Sequence, residues 1–172
     1  MTQDERYEIL RNHLVNSLGR QGVDELVERG FLTCPASTKY HGAYEGGLFD
    51  HCFEVVKQLG NLTRGLNLNW EWTRSPHVIG FLHDLCKLDN YSEGAAGYVY
   101  SDKQLLPGHG AKSVILAQQI LDLSEEEMMC IRYHMGAYEK DEWDFYDRAI
   151  RKYPNVLYVH TADMIASKIC NV

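Results

Sequence analysis

The residues best suited to chemistry are His83 and Asp84, side by side after the apolar run Val78-Ile79-Gly80-Phe81-Leu82. A carboxylate against such a run is costly to bury unless it is paired or binds a metal. His51, His109, His134 and Asp163 lie elsewhere, and with His83-Asp84 counted in the series each is separated from the next by about the length of one helix and its connection. If each belongs to its own helix or helix start, a bundle can bring one ligand per helix to a single point. Imidazole nitrogen combined with carboxylate oxygen suits Fe, Mn, Co, Ni or Zn better than Ca or Mg.

The elements needed to position these groups can be read from hydrophobic period. Asp4 to Leu18 carries Tyr7, Leu10, Leu14 and Leu18 at helical spacing. Gly19 and Gly22 are expected to break it before a short helix over Val23–Arg29 that ends at Gly30. Thr33 to Gly47, with Pro35 and three glycines, reads as a loop. Leu48 to Leu62 is helical by period, and Ser75-Pro76 opens a helix expected to run through His83 to about Lys87. Tyr98 to Tyr100 is expected to form one strand of a small hairpin near 97–106, with Gln104 to Leu106 as its return. Ala111 to Leu121 is the next helix, and Ser124-Glu125-Glu126-Glu127 opens another with a capping-box pattern. Asp144 to Lys152 adds a short helix, and a last one spans about Pro154 to Ile169. The expected fold class is all-α, a single helical domain over 1–172 with residues 1–32 packed on the remainder as N-terminal helices.

Composition narrows the function classes. The 172 residues carry a formal net charge of −7, so a broad basic face for non-specific nucleic-acid binding is not expected. The five cysteines, Cys34, Cys52, Cys86, Cys130 and Cys170, contain no C-x-x-C pair and read as reduced, mostly buried thiols. No apolar run approaches the length of a membrane span. With a polar start at Met1 to Arg6, a cytoplasmic protein with no membrane partner is expected.

Three words place the candidate ligands in a known pattern. Gly46-Gly47-Leu48-Phe49-Asp50-His51 resembles the G-G-L-x-x-H opening of the HD superfamily of metal-dependent phosphohydrolases. Leu82-His83-Asp84-Leu85-Cys86-Lys87 resembles its L-H-D-x-x-K core, and His160-Thr161-Ala162-Asp163 its closing x-x-A-D. The resemblance covers about residues 40–168. It implies an HD-domain helical bundle in which His51, His83, Asp84 and Asp163 hold a first metal. Gly108-His109-Gly110 and Ile131-Arg132-Tyr133-His134 resemble the extra histidines of dinuclear members. There Asp84 would bridge to a second ion completed by His109 and His134. One or two divalent transition-metal ions are therefore expected.

The activity implied is hydrolysis of a phosphoester or phosphoanhydride by metal-activated hydroxide, with Asp84 and Lys87 as catalytic residues. Lys87 would neutralise a phosphoryl oxygen as charge builds. His41, Lys112 and Arg132 are further candidates for substrate contact. The segment through His134 resembles HD-type diadenosine tetraphosphate hydrolases, and Tyr40-His41-Gly42-Ala43-Tyr44 resembles HD-type 3′-to-5′ exoribonucleases. The latter carry an OB domain, for which this chain is expected to have no room. The expected substrate is thus a small phosphorylated compound such as a nucleotide, with short RNA less favoured, and a homodimer is compatible. A non-catalytic module that binds or senses a nucleotide is the alternative. His13 and His77 are expected to be surface or core residues, and His160, one turn before Asp163, to support the site from behind or to serve packing. Tyr40, Tyr44, Tyr91 and Tyr98 are candidates for stacking a base.

Overall fold

The computed structural model describes residues 1–95, 97–102 and 104–172. Helix α1 (Gln3–Glu28) starts on a reciprocal capping box: Thr2 Oγ accepts from Glu5 N, and Glu5 accepts from Thr2 N. Gly19 departs from helical geometry, with φ 68° and ψ 172°, and bends the helix where a break is expected. Gly22 does not interrupt it. A Cβ there would stand 3.2 Å from Ile120 Cγ2, so this glycine serves close packing.

Helix α2 (Gly47–Leu66) packs on α3 (Ser75–Leu82) and α7 (Asn155–Met164). Its apolar positions Leu48, Cys52, Val55, Val56 and Leu59 are all buried, as the helical period requires. Arg6 on α1 donates two hydrogen bonds to Asp50, at 3.0 and 2.9 Å, and pins the first turn of α2 next to His51. A two-pronged guanidinium–carboxylate contact fixes orientation as well as distance.

Helix α3 stops sooner than the sequence suggests. After Leu82 the chain turns at Asp84 (φ −111°, ψ 21°) into a 3₁₀ turn over Leu85–Asp89. Residues three apart eclipse one another in 3₁₀ geometry, which stacks Lys87 over Asp84. The hairpin is antiparallel, β1 (Tyr91–Gly94) with β2 (Gly97–Tyr100), and pairs Tyr91 with Tyr100. Tyr98 to Tyr100 form a strand as expected, but the partner lies upstream and Gln104 to Leu106 are not a strand. Gly97, at φ 122°, lets β2 begin directly from the turn. Lys103, inside the expected span, lies outside the described residues.

Helices α4 (Gly110–Gln118), α5 (Glu125–Arg132) and α6 (Trp143–Lys152) follow. The capping box at Ser124 and Glu127 is formed, and the acidic run does more than favour a helix start. Glu127 is buried and accepts from Arg74 and from Ser75 Oγ (3.0 Å), while Glu126 accepts from Glu71 N (2.7 Å) and Asn155 (2.8 Å). These carboxylates tie α5 to the start of α3 and to α7. Helix α7 widens into a π turn over Ile165–Ile169. The core is one cluster, with Phe31, Phe49 and Phe81 buried at its centre and their rings 5.8–6.4 Å apart. The fold is mostly helical with one small hairpin. Among the described residues, no helix is long and apolar enough to cross a membrane.

Candidate metal centre

The first turn of α2, the end of α3, the start of α4, the end of α5 and the end of α7 converge on Asp84. Its two carboxylate oxygens face different partners. Oδ2 lies 3.6 Å from His51 Nε2 and 3.5 Å from His83 Nε2. Oδ1 lies 3.0 Å from His109 Nε2 and 3.5 Å from His134 Nε2. Two clusters able to hold a metal result, His51–His83–Asp84 and Asp84–His109–His134, and they share Asp84. Asp163 Oδ1 approaches the first cluster at 3.1 Å from His51 Nε2.

Main-chain oxygens fix the imidazoles. His83 Nδ1 donates to Gly80 O (3.0 Å), His134 Nδ1 to Ile131 O (2.7 Å), and His51 Nδ1 to Val172 O (2.9 Å). With the proton on Nδ1, each Nε2 presents a lone pair inward, the arrangement typical of metal-ligating histidine. The lone pairs then confront other acceptors. His51 and His83 Nε2 stand 3.3 Å apart, and buried His134 Nε2 has no hydrogen-bond partner among the described residues. A buried acceptor left unpaired costs about 1–3 kcal/mol. A cation between these groups turns repulsion into coordination. Ligand atoms bound at about 2.0–2.2 Å in tetrahedral or octahedral geometry lie about 3.0–3.5 Å from one another, which matches these separations. The donor set could therefore hold a metal ion.

Electrostatics keep the groups in ligating form. Burial pushes His83 down to about 3, against the opposing pull of Asp84, so its ring is neutral near pH 7. Burial alone would raise the Asp84 carboxyl, but Lys87 and the surrounding imidazoles outweigh it and hold Asp84 well below the usual range. Asp163 is likewise held low, with burial overcome by His51 and the neighbouring rings. Lys87 Nζ sits 2.6 Å from Asp84 Oδ2 and, despite burial, is kept protonated by that carboxylate.

No family model, no curated protein and no solved structure matches this chain.

A cavity of about 220 Å³ opens onto the cluster, reached by Asp84, Lys87, His109, His134 and Asp163 from below and by His41 and Ser37 from the loop before α2. Burial, with the His51 ring 5.1 Å away, lowers His41 to about 4. Lys112 and Arg132, expected as further substrate contacts, are not brought to the cavity. Lys112 is fully buried, ion-paired with Asp89 and bonded to Asn90 Oδ1 at 2.9 Å. Arg132 is held by Glu139 (2.9 Å) and Glu142.

Of the tyrosines considered for stacking, Tyr40 and Tyr91 line the cavity. Tyr44 bonds Asp50 at 3.0 Å, and Tyr98 lines a separate depression. Tyr100, Tyr138 and Lys168 line the cavity too and were not singled out from sequence. No spacing rule pointed to them: Tyr138 lies in a 3₁₀ turn beyond α5, and Lys168, five residues after Asp163, is brought round by the π turn. His160 lies behind the site as expected, its Nδ1 2.8 Å from His134 O. His13 and His77 pair with each other away from it, Nδ1 to Nδ1 at 2.6 Å.

Proposed function

We propose that this chain is a metal-dependent phosphohydrolase of the HD-superfamily kind, cleaving a phosphoester or phosphoanhydride of a nucleotide or a similar small phosphorylated compound. The observation that carries the reading is the division of Asp84: one oxygen faces His51 and His83, the other His109 and His134. One carboxylate shared by two imidazole pairs is what a dinuclear centre requires. Bound divalent ions there would lower the pKa of water to about 7 and take up charge on phosphoryl oxygens.

The protein's own residues do the rest. His51, His83, Asp84, His109, His134 and Asp163 would hold the ions. Lys87, locked on Asp84, keeps a cation at the cavity floor where negative charge on a phosphoryl group would build. His41, kept neutral by burial, offers a ring nitrogen at the cavity wall. The paired rings of Tyr91 and Tyr100, 5.4 Å apart, border the cavity and give an aromatic face suited to a base.

The test is a phosphate-release panel of phosphomonoesters, cyclic nucleotides, dinucleoside polyphosphates and short RNA, with Mn, Fe, Co, Ni or Zn supplied. Metal-dependent turnover that is lost in Asp84→Asn is the expected result. Tight nucleotide binding without turnover under every metal would overturn hydrolysis in favour of a sensing module.

A further inference from the structure

The inward-facing histidines are oriented in two different ways. His83 and His134 each find an Nδ1 acceptor three residues back in their own helical turn, Gly80 O and Ile131 O. Their orientation comes with the local fold. The Nδ1 acceptor of His51, Val172 O, is 121 residues away in sequence. Nothing in α2 supplies that bond, so the ring depends on where residues 165–172 lie.

Those residues form a hook. The π turn over Ile165–Ile169 directs Cys170 N to Ile165 O at 2.9 Å. Asn171 then takes a left-handed backbone, φ 59°, and Val172 N returns to Ala166 O at 3.2 Å. A left-handed residue just past a helix reverses the chain. Here the reversal aims Val172 O at α2. Cys170 also meets α2, its Sγ 3.6 Å from Glu54 Oε1. The same terminal segment supplies Asp163, 3.1 Å from the other ring nitrogen. The end of α7 and its hook thus flank His51 on both sides, but only Val172 O accepts a proton from the ring; Asp163 Oδ1 faces the Nε2 lone pair.

We propose that the hook over residues 165–172 is a positioning element for His51, in which the main-chain oxygen of Val172 holds the Nδ1 proton and so aims the Nε2 lone pair at the metal centre. The value of this position rests on the metal-binding role proposed for His51, but the tautomer it sets is readable without metal. Because the acceptor is main chain, the identity of the Val172 side chain is immaterial and the backbone at Asn171 is decisive.

The experiment compares Asn171→Pro with Asn171→Gly and Val172→Ala in the otherwise intact chain. Proline fixes φ near −65° and forbids the hook, whereas glycine accepts positive φ. Histidine ¹⁵N shifts in metal-free protein report each tautomer, and Mn and Zn titration reports affinity. Asn171→Pro is expected to lose the Nδ1–H form at His51 while His83 and His134 keep theirs, and to weaken metal binding about 10- to 100-fold. Asn171→Gly and Val172→Ala should match the parent in both readouts. If Asn171→Pro does not fold, deletion of residues 171–172 replaces it with the same expectations. An unchanged His51 tautomer in the hook-disrupted variant overturns the proposal. A parent that shows the tautomer but binds no metal would instead overturn the metal reading, so the two failures are distinguishable.

Discussion

Gly110→Ala tests the geometry that joins the second histidine pair to Asp84. Gly110 opens α4 immediately after His109 and lies against the end of α5. A Cβ at this position would stand 2.0 Å from the Arg132 carbonyl oxygen and 2.7 Å from its carbon, where real Cβ contacts essentially never fall under 3.0 Å. The obstacle is backbone, so α4 and α5 must part by about 1 Å. Overpacking of this kind costs about 1–3 kcal/mol. For a domain of this size each kcal/mol shifts Tm by about 2–4 °C, giving an expected loss of about 2–12 °C.

The displacement falls between His109, on one side of the contact, and His134, two residues past Arg132. Their separations from Asp84 Oδ1, 3.0 and 3.5 Å, cannot both survive it. Calorimetry with metal titration should therefore show a lower Tm and loss of the ion held by His109 and His134, with the His51–His83–Asp84 site retained. A Tm within about 1 °C of the parent, with both ions still bound, would refute the reasoning.

Three further outcomes are expected. Lys87→Met should reduce turnover by about 10²-fold, the scale for loss of one donor to developing charge, and equal rates in steady-state assays would dismiss its phosphate role. Lys112→Met should leave turnover unaltered but cost about 1–3 kcal/mol in urea unfolding, since it strands the buried Asn90 oxygen; a rate defect without a stability defect would reverse the assignment. Burial lowers the pKa of both His13 and His77, the latter ring also adding to the shift on His13. The unfolded chain therefore takes up protons near the ordinary 6.5 while the folded chain resists. Their contribution is present above that pH and is lost as pH falls below it. Between pH 7 and 5 the urea midpoint should drop less in His77→Gln than in the parent, and parallel curves would contradict this.

The convergence on Asp84 was legible in part: glycines precede His51, an apolar run precedes His83 and glycines flank His109, whereas His134 and Asp163 carry no comparable local signal. Period located α2 and the face it buries, and a capping-box pattern located the start of α5. Long-range pairing was not legible. Lys112 and Arg132 look like free cations in sequence, and only folding brings Asp89, 23 residues away, to Lys112 and wraps Glu139 and Glu142 onto Arg132. The early end of α3 was missed because no proline or glycine lies between Leu82 and Lys87. The turn there follows from the contacts of Asp84, not from local propensity. The hairpin partner was misplaced because both flanks of β2 offer a short segment, Tyr91–Gly94 before it and Gln104 to Leu106 after it, and the Tyr91–Tyr100 pairing decides between them. The Val172 contact with His51 has no local sequence signal at all.

The central claim is that Asp84 joins two metal ions. Anomalous scattering from crystals of metal-loaded protein, with elemental analysis of the same sample, tests it most directly. Two ions per chain are predicted, one beside Asp84 Oδ2 and one beside Oδ1, with Asp84→Asn losing both. Absence of bound ions after loading with Mn, Fe, Co, Ni and Zn, or full occupancy in Asp84→Asn, would contradict the account.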